Sequence, residues 1–290
     1  MSKKIHITSP AKVIDKACID FAVEFLTEKG FSVTLSKNVL GQYHYFSGTD
    51  SERLEDFQHA LDDDSIDFIL CARGGYGSVR IIDQLDFSRF LNKPKLIIGF
   101  SDITVFHNHI HAHYKLPTVH ASVPLNFRSN SMEALKSLVN VLNGKSNTYF
   151  VETTAYNREG IAKAAVVGGN LSIIYSLIGT NSDISTDGKI LFMEDIGEPV
   201  YAVDRMLYAL KKSNKLQNLA GLIVGGMTNM KDTEISFGKT VQEVISEMVA
   251  PYKFPVCFNF PAGHVDDNRA IILGKEAKLE VTADMVIFEQ

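Results

Sequence analysis

The sequence predicts an α/β protein: an N-terminal domain on a Rossmann-like, doubly wound parallel sheet, followed by a smaller C-terminal β-rich domain. Three observations carry this reading. Short apolar runs alternate with amphipathic helical patterns up to residue 113, the spacing that puts helical crossovers between parallel strands. Two of those runs stop abruptly at glycine-containing turns, at 73–77 and 99–102. The segment beyond residue 255 breaks into short apolar stretches separated by turn residues, as in a β-rich unit.

Residues 4–9 read as the first strand. A helix over 13–29 follows, with Ile14, Cys18, Phe21, Phe25 and Leu26 on one face and Gly30 as its stop. Residues 31–35 read as a strand, 51–61 as a helix capped by Asp50 or Ser51, and 66–71 as a buried strand running into Arg73-Gly74-Gly75-Tyr76-Gly77. A short helix over 79–85 leads to the strand 95–100, which ends at Gly99-Phe100-Ser101-Asp102, and then to a helix over 103–113. Both turns follow strand carboxyl ends, the rim where ligands sit in such sheets. Further on, 133–142 is helical and 147–152 extended. Polar Asn157-Arg158-Glu159-Gly160 marks a junction, dividing the chain into domains at 1–156 and 160–290. Past it come the strand 162–167, Gly168-Gly169-Asn170, a helix from Leu171, and the strand 190–193. A helix over 200–212 and a strand over 219–224 complete the pattern. No internal repeat is present.

Bulk properties narrow the function classes. The 34 acidic and 29 basic side chains leave a net charge of -5 spread along the chain, without the basic footprint that nucleic acid requires. No apolar stretch reaches the length of a membrane span, and the N-terminal residues lack a signal-peptide core. Three distant cysteines with no C-x-x-C read as buried apolar residues in a reducing compartment, so a cytoplasmic protein is expected.

The chemistry centres on Ser101. A serine at a strand-to-helix turn stands exposed at the rim of a sheet, as in a nucleophile elbow, although Ile103 replaces the usual fifth-position glycine. The same dipeptide spacing also makes an ordinary turn. A serine hydroxyl needs a base, and the base an orienting group. His264, in the turn-rich stretch 260–268, is the best base, its alternative being a surface histidine. Glu194 ends an apolar strand, where a carboxylate demands a donor. The neighbouring Asp195 and Glu198 are explained by the charge of a helix N-terminus. The 73–77 turn lacks both the dinucleotide and the phosphate-loop spacing. An oxyanion hole, with one N–H from this turn and one from Asp102, suits it better. His107, His109, His111 and His113 form two i,i+4 pairs on different helix faces without H-E-x-x-H, so a partly exposed polar helix is expected rather than a metal site.

Five segments occur together in order: Arg73-Gly74-Gly75-Tyr76-Gly77, Gly99-Phe100-Ser101-Asp102-Ile103-Thr104, Gly168-Gly169-Asn170-Leu171, Leu191-Phe192-Met193-Glu194-Asp195 and Gly263-His264. In this the chain resembles the LD-carboxypeptidase family of serine peptidases, over about residues 5–285. The resemblance implies Ser101 as nucleophile, Glu194 as orienting acid and His264 as general base, with the N–H groups of Gly75 and Asp102 as oxyanion hole. It implies a cytoplasmic homodimer that needs no metal or organic cofactor. The implied substrate is a small muropeptide that loses its terminal D-alanine. Arg73 is a candidate for the substrate carboxylate, with a fold-stabilising ion pair as its expected alternative. A microcin C immunity-type peptidase acting on a peptidyl nucleotide and a non-catalytic small-ligand module are the competing readings. The absence of tryptophan and of a long insertion in the second domain favours the muropeptide.

Overall fold

Six strands of the first sheet and seven of the second hold the chain in a computed structural model that describes residues 2–290. The first unit runs β1 (Lys4–Thr8), α1 (Lys16–Glu28), β2 (Ser32–Leu35), α2 (Asp50–Asp62), β3 (Phe68–Cys71), α3 (Ser88–Asn92), β4 (Leu96–Gly99), α4 (Thr104–Tyr114), β5 (Thr118–His120) and α5 (Met132–Leu142). β1 to β5 are parallel in the order β2-β1-β3-β4-β5. The central strands are buried on both faces, which is why they read as unbroken apolar runs. Both glycine-containing turns leave the sheet at its carboxyl edge.

The second unit runs β6 (Thr148–Glu152), β7 (Gly160–Asn170), α6 (Leu171–Ser176), β8 (Ile190–Ile196), α7 (Val200–Lys212), β9 (Gly221–Thr228), α8 (Val241–Val249), β10 (Val256–Cys257), β11 (Ile271–Leu273), β12 (Glu276–Val281) and β13 (Met285–Glu289). Its sheet is ordered β10-β9-β8-β7-β12-β13-β6. The β10 to β7 half is parallel with helical crossovers, and the rest is antiparallel. The two units trade strands. β6 precedes the expected junction yet pairs with β13, and β11 runs antiparallel to β5 at the edge of the first sheet. One core accordingly gathers Tyr149, Phe192, Phe260, Ile271 and Phe288 from both sides.

Several local expectations need correction. The cap of α2 is Thr49, whose side chain and that of Glu52 satisfy each other's backbone N–H groups, a capping box that also holds α8 through Thr240 and Glu243. Residues 79–85 form two 3-10 turns, Ser78–Arg80 and Ile82–Gln84, with no side-chain cap, because the stretch is too short to carry an α-helical nucleus. Helix α4 is exposed only in its last turn, at His113: every residue from Thr104 to His111 is buried, since it packs on β4 and β5 on one side and on β7 and α6 on the other. The cysteines are free, Cys71 and Cys257 buried. Among the described residues no helix is long and apolar enough to cross a membrane.

Candidate active site

Ser101 stands in a strained position. Phe100 is extended, and Ser101 then turns to φ +64°, a left-handed conformation that costs a non-glycine residue roughly 1–2 kcal/mol. Two glycines clear the space. A Cβ on Gly99 would lie 2.8 Å from Ile103 Cγ1. One on Gly74 would lie 2.9 Å from Ser101 Cβ and 3.2 Å from the Asp102 nitrogen. The glycine of the 73–77 turn that touches Ser101 is therefore Gly74. Gly75 turns its Cα toward Lys12 and Tyr45, at φ +114°. The buried Asp102 carboxylate accepts the Ser78 N–H at 2.9 Å, tying the two rim turns together, and burial pushes its carboxyl above the ordinary range.

Glu194 comes from the other sheet. Along β8, Leu191 and Met193 face the helices while Phe192 faces the core shared by both units. Glu194 follows on the face of Phe192 and is fully buried. The β8–β9 register shifts between Met193 and Asp195, opposite Gly225 and Gly226. Cβ atoms there would meet Ala262 O at 2.4 Å and Val265 at 2.7 Å, so the pair of glycines admits the loop that carries His264. Gly263, at φ +110°, has no room for a Cβ against Glu194 either.

These elements bring the three predicted side chains into one line. His264 Nε2 is 3.2 Å from Ser101 Oγ, and His264 Nδ1 is 2.7 Å from Glu194 Oε2, which also accepts the His264 backbone N–H at 3.2 Å. With Nδ1 bound to a carboxylate, the proton belongs there and Nε2 presents its lone pair to the serine. Burial pulls His264 down, but the adjoining Glu194 raises it to a net value above the ordinary 6.5. Burial pushes Glu194 up, yet the adjoining His264 and the Asn170 hydrogen bond hold it below the ordinary carboxyl value.

Asn170, quoted in the sequence without a role, links the parts. Its Oδ1 caps α6 by accepting Ile173 N–H at 3.2 Å. Its Nδ2 donates to Glu194 Oε1 at 3.3 Å and Asp195 Oδ1 at 3.0 Å. Its backbone N–H donates to Thr104 Oγ1 at 3.0 Å. An aspartate could cap but could not donate to two carboxylates. Asp195, read as helix-terminal charge, is instead buried and accepts Ser172 N–H at 2.8 Å. Burial and the adjacent Glu194 charge raise it to about 6. A Gly-Gly-Asn at a strand end before a helix was the available signal.

Arg73 does not form the expected ion pair. Among the described residues it has no carboxylate partner. Nη1 donates to Val13 O at 2.9 Å, and Nε is buried without a partner. The reason is geometric: the guanidinium leaves the turn toward the 11–18 segment, where Asp15 is already engaged as the cap of α1. Two of the α4 histidines are separately employed, His107 Nε2 on Gly99 O and His109 Nδ1 on Ser182 Oγ, both at 2.9 Å, while both ring nitrogens of the buried His111 lack a partner among the described residues. Among the described residues no group of three or more His, Cys, Asp or Glu is placed to hold a metal ion.

Residues 5–121 match the LD-carboxypeptidase N-terminal domain and residues 163–279 the LD-carboxypeptidase C-terminal domain. The chain belongs to the LD-carboxypeptidase family. A relative from Bacillus subtilis (strain 168), named a probable murein peptide carboxypeptidase, is 32% identical over 98% of this chain and 91% of its own length. The crystal structure of a muramoyltetrapeptide carboxypeptidase from Oxalobacter formigenes superposes with a TM-score of 0.89 at 25% identity, covering 99% of this chain and 98% of that one. MccF in complex with glutamyl sulfamoyl guanosine superposes at 0.88 over 100% and 96% of the chains. At 21% identity that likeness speaks to the fold alone. Ser101 falls in the first LD-carboxypeptidase domain and Glu194 and His264 in the second, so the cluster spans the junction.

Proposed function

We propose that this LD-carboxypeptidase family member is a serine carboxypeptidase that hydrolyses an L,D-amide bond and releases terminal D-alanine from a peptidoglycan-derived tetrapeptide. The observation that carries the reading is the continuous contact from Ser101 Oγ through His264 to the buried Glu194, at 3.2 and 2.7 Å. The murein peptide carboxypeptidase name of the Bacillus subtilis relative supports the substrate class.

In this reading Glu194 holds the Nδ1–H tautomer. His264 Nε2 takes the Ser101 proton as Oγ attacks the scissile carbonyl. The N–H groups of Asp102 and Gly75 are the donors this reading assigns to the developing oxyanion, with Gly74 packed between their turns against Ser101. His264 returns its proton to the departing amine of D-alanine. Water then attacks the acyl-enzyme, giving its proton to His264, and the serine hydroxyl is restored. Arg73, with no carboxylate of its own, holds the terminal carboxylate of the substrate.

The test is incubation with muramoyl tetrapeptide and assay of free D-alanine. Ser101→Ala is expected to fold normally and to lose on the order of 10³-fold or more in turnover; equal turnover would remove Ser101 from the nucleophile's role. Arg73→Ala is expected to raise KM roughly tenfold with a smaller change in kcat, and an unchanged KM would place the carboxylate elsewhere. Cleavage of a peptidyl nucleotide with no D-alanine release would assign the microcin-type substrate instead.

A further inference from the structure

The turn that carries His264 is held from the first sheet by two residues outside the serine–histidine–glutamate line. His120 ends β5, beside Gly99 of β4, two residues before Ser101. It is fully buried, with Phe100 and Phe192 against its ring at 5.7 and 4.7 Å between centroids. Phe100 also packs on the ring of His264 at 4.9 Å. Asn268, equally buried, lies between. Its Oδ1 accepts the Gly263 backbone N–H at 2.8 Å and meets His120 Nε2 at 3.2 Å, and its carbonyl accepts Ser122 Oγ at 3.2 Å. Of the two Asn268 amide atoms only Oδ1 can accept the Gly263 N–H, so the orientation of the amide is fixed. His120 must then donate from Nε2. Burial keeps that ring neutral, down at about 4.

We propose that Asn268 and His120 act as a positioning pair that sets the His264 turn over Ser101, coupling the nucleophile's sheet to the base. The proposal rests on the reading of Ser101, His264 and Glu194 given above. The geometry argues for it in three ways. The turn makes two backbone donations beside the site, Gly263 N–H to Asn268 and His264 N–H to Glu194, so Asn268 supplies one of the two, beside the Thr228 Oγ1 donation to His264 O at 3.1 Å. Gly263 cannot be held by a side chain of its own, because any Cβ would strike Glu194. Asn268 reaches across the domain junction to β5, while Glu194 reaches it from β8. The base is thus tied both to the nucleophile's own sheet, through Asn268 and His120, and to β8, through Glu194. An ångström of misplacement is enough to cost about a hundredfold in rate.

Asn268→Ala, His120→Phe and His120→Gln are compared with the full chain, using D-alanine release and the NMR titration of the His264 ring. Asn268→Ala is expected to lower kcat roughly ten- to a hundredfold with KM within about threefold. Its His264 titration moves toward the ordinary imidazole value, because the Glu194 contact loosens. His120→Phe is expected to lose several-fold in kcat, and His120→Gln, which still donates to Asn268, to recover most of it. Should Asn268→Ala not fold, the two His120 variants decide alone. Wild-type kcat and an unmoved His264 titration in Asn268→Ala, or equal kcat in His120→Phe and His120→Gln, would overturn the pairing. A wild type that releases no D-alanine, but whose His264 titration still responds to Asn268→Ala, would remove the substrate reading and leave the positioning intact.

Discussion

At the scale of the residue, the site is a set of groups that each lack something until a neighbour from the other sheet supplies it. Ser101 is held left-handed and is unreactive without a base. His264 has a donor side and an acceptor side that only a carboxylate at Nδ1 can distinguish. Glu194 is buried without solvent and is satisfied by His264 and Asn170 alone. Glu194→Gln preserves the shape but can leave Nδ1 as the acceptor, the wrong tautomer for the serine. Loss of kcat on the order of 10³-fold or more is expected. The pH profile adds a sign. His264 must be neutral to act, and Glu194 raises it above 6.5, so wild-type kcat/KM rises with pH through the acidic range and levels off only above that ordinary value. In Glu194→Gln the raising charge is gone, and the acidic limb of the residual rate moves to lower pH. A limb that stays in place would show that another group sets it.

At the scale of the element, much was legible in the sequence, and the reasons for the rest are specific. Strands β1, β3 and β4 announce themselves as apolar runs because they are covered on both faces. The turns at 73–77 and 99–102 were readable because glycine there is demanded by a neighbour's atoms. What stayed hidden depended on partners distant in sequence. β11 is three residues long and has meaning only beside β5. β6 lies before the junction but belongs to the sheet beyond it. His107, His109 and His111 looked polar, since nothing local revealed that the helix would be packed between β4, β5, β7 and α6. The covering contact is tight: a Cβ on Gly169, at φ +135°, would lie 2.5 Å from Thr104 Oγ1. Gly169→Ala is therefore expected to destabilise the protein by about 3 kcal/mol, from backbone strain and overpacking together. It should also lower activity, because Thr104 opens the helix that follows Ser101. Urea unfolding checks the first part; a change within about 0.5 kcal/mol would mean that the contact yields easily.

At the scale of the whole molecule, the fold hides titratable groups at the seam between its layers, and acid should find them. His6, His107, His109, His111 and His120 are all buried. Burial pulls His107 to about 3 and the other four to about 4, from an ordinary 6.5. Between pH 6.5 and 4 the unfolded chain binds protons at these positions and the folded chain does not. Stability therefore falls as pH falls through that window, by up to about 1.4 kcal/mol per unit for each fully buried ring. Asp195 works in the opposite direction. Its carboxyl is raised to about 6, so the folded state takes up a proton before the unfolded state does and gains stability on acidification. Asp102 and Asp56, raised by burial, and His264, raised by Glu194, act in the same direction as Asp195, so four groups oppose five histidines, whose larger shifts should prevail. A thermal midpoint lower at pH 5 than at pH 7.5 by on the order of 10 °C is expected. His107→Gln, which retains a donor near the Gly99 carbonyl and cannot titrate, should narrow that gap. A midpoint that is level or higher at pH 5 would mean that the seam opens to water and the histidines protonate in place, in which case the packing of α4 between the two sheets is looser than its burial implies.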